Sequence, residues 1–576
     1  MSASSKKKLR KEQNMASMTE KQLAAQKEAK KLKVYTASFW IVLVLCVSLV
    51  AGLALREPAK GMAARVVTAA VVGGEKISNV ELNYFYIDAI NNYCNQYGDY
   101  LQYFLDTTAP LDQQYYDEAA GKTWADFFVE LALDNAKNNY ALYNAAKAAG
   151  HTLTAEEKAT TEELFGQLKT VAKSYGYRSA NAYIKALYGP GASLNSYKAY
   201  YEVTSLASSY HTAYSAKVEA DVTDAALREY ETDKMYQYNS YTYASYYMNV
   251  DSFKEGGTKD DQGNTTYTDA EIKAAEAKLK AAAEALAVPE NNTLEAFNAA
   301  IAAANKTATA DEATKTATAD EATKDQASSS AIATENKDVR YTNVNAAVQE
   351  WIRGERKAGD IAALPYYTTS TEGETEVKTL KGYYVVLYQG VNDNTFALKD
   401  VRHILIKYEG GTTDENGNTT YSDAEKNAAK EAADKILKEW EAGDKTEDSF
   451  IALAKEKSTD TGSKENGGLY EAVYPGQMVD PFEDWCYDET RKVGDTGVIA
   501  SDYGYHVMYF VGDNEVNYRD YLVKNDLIEE TITNWQTALN DATTVEVKNT
   551  KFVDRDLVLN TGSSTTTDDH EGHDHA

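Results

Sequence analysis

The sequence is short of cysteine, of proline and of positive charge. It has three cysteines in 576 residues, and Cys46 lies in an apolar segment, which leaves Cys94 and Cys486 for the rest of the chain. Two distant cysteines exclude a disulfide-based scaffold, although a single bridge between them stays open. The 59 basic residues are outnumbered by 88 acidic ones, giving a net charge of −29. This deficit argues against a nucleic-acid-binding protein, because phosphate contacts need clustered lysine and arginine.

The remaining composition is ordinary for a globular protein. Hydrophobic residues make up 43% and charged residues 26% of the chain, which excludes a disordered or wholly membrane-embedded polypeptide. The length predicts about four domains. Two counts are unusual: 44 tyrosines stand against 13 phenylalanines, and there are only 7 prolines.

The N-terminal part of the sequence predicts a membrane anchor. Residues 1–33 contain ten basic and three acidic residues, a balance of +7, and residues 34–55 carry no charge. At 1.5 Å per residue, these 22 apolar residues span roughly 33 Å, enough for a bilayer core. The basic arm is expected to stay in the cytoplasm, with the chain after residue 55 outside. A cleaved signal remains the alternative, because small residues at 52–54 and 67–69 admit cleavage, but this apolar run is longer than a signal core.

The region 56–235 is predicted to be helical. After a short strand and turn at 70–77, Ser78 and Glu81 fit a capping box at a helix start. The chain beyond is rich in Ala, Leu, Tyr and Lys, with breaks expected at Gly150, Gly176 and Gly189. The prediction for this region is an all-α domain.

An internal repeat follows. Residues 255–271 recur at 409–425 with nearly the same sequence, from Glu-Gly-Gly-Thr to Tyr-Thr/Ser-Asp-Ala-Glu. Two tandem domains of one α+β fold are therefore predicted, at 236–395 and 396–513. The first copy has no histidine, and its low-complexity tract near 305–337 is interpreted as a solvated insertion.

The chain is predicted to end with a helix and a strand in 514–560 and a disordered tail at 561–576. The tail carries His570, His573 and His575 among acidic residues. A His-x-x-His-x-His run can bind a transition metal weakly. We favour a solvated tail and predict no metal site.

The second copy contains, in this order, the elements Val401–Ile406, Ala432–Trp440, Phe450–Ser458, Asp460, Gly467–Leu469, Gly476–Met478, Pro481–Glu483, Gly494–Asp495 and Gly504–His506. With these elements it resembles the parvulin family of peptidyl-prolyl isomerases. In region 56–235, Trp124, Ala146–Gly150 and Tyr188–Gly189 more loosely resemble the N-terminal chaperone part of exported foldases of the SurA and PrsA type, in which the C-terminal helix returns to pack on that part.

The resemblance implies the roles of six residues. His403 and His506 would form a hydrogen-bonded pair at the sheet centre with Asp460 beside it. Leu469, Met478 and Phe482 would line the pocket for the proline ring. Rotation about a prolyl bond is slow because it loses amide resonance, a barrier of about 18–20 kcal/mol. An apolar pocket with suitable hydrogen-bonding groups lowers this barrier without a nucleophile, metal or cofactor.

Two departures from the family affect the function. No Lys or Arg occurs between Lys407 and Lys426 while acidic residues do, so this loop should repel phosphorylated substrates. In the first copy Tyr384 stands in the place of His506, and Asn249 is expected near the place of His403. We therefore predict that the first copy is catalytically inactive and serves as a spacer or binding surface.

Two functions are weighed. The first is a bacterial, single-pass membrane protein whose extracytoplasmic part is a prolyl isomerase and chaperone for unfolded or newly exported polypeptides, with a homodimer left open. The second is a holdase without relevant catalysis, in which both copies only bind peptide. The second copy retains a complete site, which favours the isomerase function over the holdase function, because mutations accumulate in a site that is not used.

Overall fold

The computed structural model describes residues 59–559, apart from residue 261 and residues 314–331, 373–374 and 415–416. The predicted arm 1–33, transmembrane helix 34–55 and tail 561–576 lie outside the described residues. Within the described part, no helix is both long and apolar enough to cross a bilayer. The protein is a mixed α+β protein with two compact units, unit 1 from Met1–Asp221 with Glu530–Ala576 and unit 2 from Val222–Glu529.

A short helix covers residues 59–66. The α-helices that follow it are α1 (Asn79–Tyr97), α2 (Trp124–Ala148), α3 (Ala155–Ser174), α4 (Ala180–Tyr188), α5 (Leu194–Ala220), α6 (Asp224–Glu231), α7 (Asp269–Leu286), α8 (Leu294–Ala313), α9 (Ala346–Ile352), α10 (Asp423–Ala442), α11 (Glu447–Lys457), α12 (Asp480–Cys486) and α13 (Tyr518–Ala542).

The strands are β1 (Thr68–Val72), β2 (Glu75–Ser78), β3 (Tyr115–Asp117), β4 (Lys122–Thr123), β5 (Ser240–Asn249), β6 (Thr258–Lys259), β7 (Thr265–Thr266), β8 (Thr334–Arg340), β9 (Ile361–Glu372), β10 (Thr375–Asn392), β11 (Ala397–Lys407), β12 (Thr412–Thr413), β13 (Thr419–Thr420), β14 (Leu469–Val473), β15 (Thr496–Ser501), β16 (Gly504–Asn517) and β17 (Val545–Val547).

Unit 1 is mainly helical, and its helices end where the sequence indicates. Ser78 caps α1 by accepting a hydrogen bond from the Glu81 amide at 3.2 Å. Helices α2, α3 and α4 end one or two residues before Gly150, Gly176 and Gly189, and each glycine has a positive φ. That backbone conformation is the usual way to end a helix, and glycine adopts it without a steric penalty.

The short strand and turn predicted at 70–77 are confirmed as β1, β2 and the turn between them, but the all-α prediction for region 56–235 is wrong because these strands belong to a sheet. Unit 1 also contains a three-stranded antiparallel sheet of order β17-β1-β2 and the short hairpin β3–β4. The sheet forms because β1 buries Ala69, Ala70 and Val72 in the unit 1 core and leaves an edge that β17 pairs with. Its partner lies more than 470 residues away in the sequence, so no local pattern predicts the pairing.

The C-terminal segment packs within unit 1. The indole of Trp535 on α13 stacks on Tyr214 of α5 with ring centroids 3.8 Å apart. The strand predicted within 514–560 covers only three residues, Val545–Val547. After it, the amides of Lys548 and Asn549 both donate to the carbonyl of Ala69, so the chain leaves the extended ladder there.

Unit 2 contains two four-stranded antiparallel sheets with the same topology. The strand orders are β8-β5-β10-β9 and β14-β11-β16-β15. One face of the first sheet packs on α7 and α8, and the corresponding face of the second packs on α10 and α11. On the opposite face lie the short helices α9 and α12 respectively.

The repeated sequence forms the same local structure in both places. The carboxylate of Glu271 accepts a hydrogen bond from the Gly257 amide at 3.0 Å, and that of Glu425 accepts one from the Gly411 amide at 2.8 Å. Both carboxylates also close the capping box of the helix on which they lie. Each two-stranded turn is thereby tied to the start of the following helix.

The low-complexity tract is structured at both of its ends. Helix α8 continues to Ala313 and β8 begins at Thr334, so only the centre of the predicted insertion at 305–337 falls outside the described residues. The two cysteines of the described part, Cys94 and Cys486, are free, and the bridge that the sequence left open is absent.

Candidate active site

A cavity of about 360 Å³ opens on the α12 face of the second sheet. Strands β11 and β16 supply its floor, and α12 with the segment before it supplies one wall. The residues that line it are His403, Leu405, Lys407, Asp460, Tyr470, Gln477, Met478, Val479, Phe482, Tyr503 and His506.

The strand register brings the two histidines together. His403 on β11 lies opposite Met508, and His506 on β16 lies opposite Leu405. Alternate residues of a strand point to the same face, so the two imidazoles are diagonal neighbours on one side of the sheet. Their Nδ1 atoms are 2.9 Å apart, and the rings are stacked with centroids 5.2 Å apart.

The hydrogen bonds assign the protons of this pair. Asp460 is ionised: burial raises the pKa of its carboxyl, but hydrogen bonds from Ser463 and His403 hold it well below its usual range. His403 therefore donates from Nε2 to Asp460 at 2.9 Å, which leaves its Nδ1 as an acceptor for the Nδ1–H of His506. The Nε2 of His506 then accepts from the Ser501 hydroxyl at 2.7 Å.

Both imidazoles are neutral at physiological pH. Their exposed fractions are 4% for His403 and 5% for His506. Burial lowers the pKa of His506 to about 4, with a further lowering from His403 and an opposing effect of Asp460. Burial also lowers the pKa of His403, against the hydrogen bond and charge of Asp460. A charged imidazole is costly in such a site because it loses its hydration.

The apolar wall comes from α12 and the residues before it. The Phe482 ring lies edge-on to both imidazoles, with centroid distances of 5.4 Å to His403 and 5.6 Å to His506. Phe482 is only 2% exposed, and Met478 packs beside it. The wall has the size and chemistry to receive a small apolar ring.

The structure brings five of the six sequence-predicted residues to this cavity, and Leu469 is the exception. Leu469 pairs with Arg402 in the β14–β11 ladder, whereas the next residue, Tyr470, lines the cavity. Successive residues of a strand face opposite sides of the sheet, so Tyr470 faces the cavity and Leu469 faces away from it. The predicted pocket residue is therefore wrong by one position. The Tyr470 hydroxyl donates to Asp460 at 3.1 Å.

Sequence reasoning also missed the hydroxyl groups around the pair. Ser463 hydrogen-bonds to Asp460 at 2.5 Å, and Ser501 to His506. Serines at such places carry no distinctive sequence signal.

The glycine pair before β14 is required by a close approach. A Cβ on Gly468 would lie 2.1 Å from the carbonyl oxygen of His403, and Gly468 has a φ of +74°. The Gly468 carbonyl accepts a hydrogen bond from the His403 amide at 2.9 Å. The backbone that carries His403 is thus held directly by this glycine.

The first sheet has a different group of side chains at the corresponding place. In the first sheet Gly382 pairs with Asn249, and in the second sheet Gly504 pairs with Lys407, so Asn249 is the counterpart of Lys407. Tyr384 lies opposite Tyr247. By this register the counterpart of His403 is Ser245, so the expectation that Asn249 stands there is wrong by four residues. The error arose at the end of β5, where no histidine marks the alignment.

Three tyrosine rings occupy this region of the first sheet. Tyr384 lies 4.8 Å from Tyr247 and 5.8 Å from Tyr366, measured between ring centroids. The Tyr384 hydroxyl accepts a hydrogen bond from Asn345 at 3.2 Å. No imidazole pair is present here, because residues 236–395 contain no histidine.

Comparison with known proteins agrees with this geometry. The family model described as PPIC-type PPIASE domain matches residues 383–513. This part of the chain is a parvulin-type domain. The match begins inside β10, ahead of the predicted boundary at 396, and it includes both histidines, Asp460 and the apolar wall.

Curated relatives are foldases of the PrsA type. The foldase protein PrsA of Staphylococcus epidermidis is 35% identical over 162 residues, covering 28% of this chain and 46% of the relative. PrsA of Geobacillus kaustophilus is 33% identical over 177 residues, covering 30% of this chain and 50% of the relative. PrsA 1 of Listeria monocytogenes is 31% identical over 134 residues, covering 21% of this chain and 46% of the relative. The chain matches at most about half the length of these relatives.

Solved structures include similar chains over about a quarter of this protein. The peptidylprolyl isomerase PrsA of Bacillus anthracis is 25% identical, covers 26% of this chain and 59% of its own, and has a TM-score of 0.17. A SurA-like chaperone of Campylobacter jejuni is 25% identical, with a match that covers 26% of this chain and 56% of the chaperone chain and a TM-score of 0.15. Scores this low carry no argument about the rest of the chain.

Within the described residues, no group of three or more His, Cys, Asp or Glu side chains has an arrangement that could hold a metal ion. The cavity offers neutral imidazoles, one carboxylate bound within the network and an apolar wall. This arrangement can receive a prolyl ring against its apolar wall. It contains no activated nucleophile.

Proposed function

We propose that this chain is an extracytoplasmic peptidyl-prolyl cis-trans isomerase and chaperone that assists the folding of exported polypeptides. The observation that carries the proposal is the Nδ1–Nδ1 contact of His403 and His506 beside Phe482 and Met478 in one cavity. The PrsA-type relatives support the role in folding. In this proposal residues 34–55 anchor the chain in a bacterial membrane, with the N-terminus cytoplasmic and the remainder outside.

The proposed mechanism is non-covalent. The prolyl ring of a substrate enters the wall formed by Met478 and Phe482, which fixes the ring while the rest of the chain rotates about the amide. The twisted amide loses its resonance and its nitrogen gains basicity, so a site complementary to the twisted form lowers the barrier.

In this mechanism the histidine pair supports the pocket. All four imidazole nitrogens are engaged, with Asp460, with each other and with Ser501, so none is left to bond a substrate. Both rings instead contact Phe482 edge-on. His403 and His506 are therefore positioning residues for the apolar wall.

The assay that tests the function is isomerisation of an unphosphorylated Xaa-Pro peptide by the full chain. We expect clear acceleration over the uncatalysed rate, and losses in kcat/KM of more than about tenfold in Phe482→Ala and His506→Ala, because a displaced wall misplaces the ring. The matched control is Tyr384→Ala, the counterpart of His506 in the first sheet, which should keep the full rate.

An uncatalysed rate from a folded protein would overturn the isomerase proposal and leave the holdase alternative. Equal losses from Tyr384→Ala and His506→Ala would contradict the assignment of catalysis to the second sheet. The complete pocket and hydrogen-bond network of the second sheet disfavour both results.

A further inference from the structure

Unit 1 has an uncovered group of aromatic side chains between the end of α1 and the start of α2. Its members, together called the aromatic surface, are Tyr97, Tyr100, Tyr103, Phe104, Tyr115 and Tyr116. Their exposed fractions run from 37% for Tyr97 to 77% for Tyr103. Tyr100, Tyr103 and Tyr115 are each more than half exposed, and a concentration of exposed aromatic rings marks an interaction site.

Three of the exposed rings are joined through a buried base. Tyr97 contacts Phe104 at 5.5 Å, and Phe104 stacks on Trp124 at 5.9 Å. Tyr116 contacts Trp124 at 4.9 Å and stacks on Phe127 at 4.3 Å. Because Trp124 is only 4% exposed and belongs to the unit 1 core, these three rings are continuous with that core and are supported by it.

The aromatic surface is also acidic. Residues 97–123 contain five acidic residues and one lysine, a net charge of −4, in a chain of net charge −29. A symmetric contact between two copies through this patch would bring like charges face to face. An anionic membrane surface would be repelled for the same reason. Charge complementarity therefore favours a basic partner.

The structure contains a small example of the contact that such a partner would make. The Nζ of Lys122 lies 5.4 Å from the centroid of the Tyr116 ring and 5.7 Å from that of Phe127. A cation over the face of an aromatic ring is attracted by the ring's electrostatic field. The exposed faces of Tyr100, Tyr103 and Tyr115 offer the same contact to side chains from outside.

We propose that the aromatic surface binds extended, unfolded polypeptide segments that carry both aromatic and basic side chains. Aromatic residues of the segment stack on the exposed rings, and its lysines and arginines lie over ring faces or near the acidic residues. This inference rests on the chaperone role proposed above and names the class of segment that unit 1 selects.

The test measures peptide binding to the full chain in phosphatidylcholine nanodiscs by fluorescence anisotropy. The probe is a fluorescein-labelled 15-residue peptide of alternating Tyr or Phe and Lys, without proline so that the isomerase cavity is not engaged. Two matched peptides carry Glu in place of each Lys, or Ser in place of each aromatic residue. The variant is Y100S/Y103S/Y115S, and the control is Tyr175→Ser, an equally exposed tyrosine elsewhere in unit 1.

We expect the Lys peptide to bind at least about tenfold more tightly than either matched peptide, and binding to weaken at high salt. The triple variant should lose about tenfold or more of this affinity, while Tyr175→Ser keeps it. Isomerisation of a short Xaa-Pro peptide is followed in the same samples. If isomerisation is absent but this binding pattern is found, the catalytic proposal fails and the present one stands.

Three results would overturn the inference. The first is unchanged affinity in the triple variant. The second is equal affinity for the Lys and Glu peptides. The third is another occupant: a change in oligomeric state of the triple variant by sedimentation would assign the surface to a second copy, and loss of binding to phosphatidylglycerol vesicles would assign it to a membrane.

Discussion

Acidification gives a direct test of the buried histidine pair. The pKa of His506 is lowered from 6.5 to about 4, so the folded protein keeps this imidazole neutral down to roughly that pH. The unfolded chain takes up the proton near pH 6.5. Between these values the unfolded state binds one more proton, so the free energy of unfolding falls as the pH falls.

The size of this effect follows from the shift. A difference of one pKa unit is equivalent to about 1.36 kcal/mol, so the lowering from 6.5 to about 4 corresponds to about 3 kcal/mol lost between neutral pH and pH 4. Asp460 also has a lowered pKa, so its contribution is present above about 3.8 and is lost at lower pH. The window between pH 4 and 6.5 therefore reports on the histidine pair, because the pKa of His403 is also lowered by burial and its loss adds to that of His506.

The titration can be followed by NMR of the full chain labelled at the histidine Cε1 carbon, because there are only 7 histidines. The signal missing from His506→Ala identifies the residue. We expect its midpoint near pH 4, with kcat/KM for an uncharged Xaa-Pro peptide unchanged from pH 8 to about 5. A midpoint near 6.5, with activity falling in parallel, would refute the argument that burial keeps the pair neutral.

Two substitutions give further tests. Gly468→Ala should lower kcat/KM and stability together, because its Cβ would lie 2.1 Å from the His403 carbonyl oxygen. Isomerisation and thermal unfolding measure this, and Gly166→Ala, in a helix with open space around it, should instead raise stability by about 0.5–1 kcal/mol. Arg519→Met should destabilise unit 2 by about 1–3 kcal/mol, because the buried Glu231 loses its partner at 2.8 Å and keeps only Arg228, at 2.6 Å. Denaturant unfolding should show most of this loss restored in Arg519→Met/Glu231→Leu, and no restoration would contradict the charge explanation.

The sequence was most informative where chemistry and spacing coincide. His403 and His506 are separated by 103 residues, and their hydrogen bond was predicted by the parvulin resemblance that the surrounding glycine and apolar motifs carry. The helix ends at Gly150 and Gly176 were equally predictable, because a glycine after a helical run has a specific backbone role.

Other features depend on information that the sequence does not display locally. Leu469 and Tyr470 are adjacent, and only the register of β14 decides which one faces the cavity. Ser501 has no distinguishing neighbours, although it donates the hydrogen bond that fixes His506. The alignment of Asn249 failed because pairing across β5 and β10, rather than motif similarity, determines the counterparts in the first sheet.

The pairing of β17 with β1 has a consequence for the order of folding during synthesis. Ala70 lies opposite Val547, so unit 1 begins the described chain but cannot complete its sheet until almost the whole polypeptide has been made. Unit 2 is continuous in sequence from Val222 to Glu529 and has no such delay, since domains fold as their residues become available. The catalytic part should therefore be native first, while the unit that carries the aromatic surface awaits the final strand.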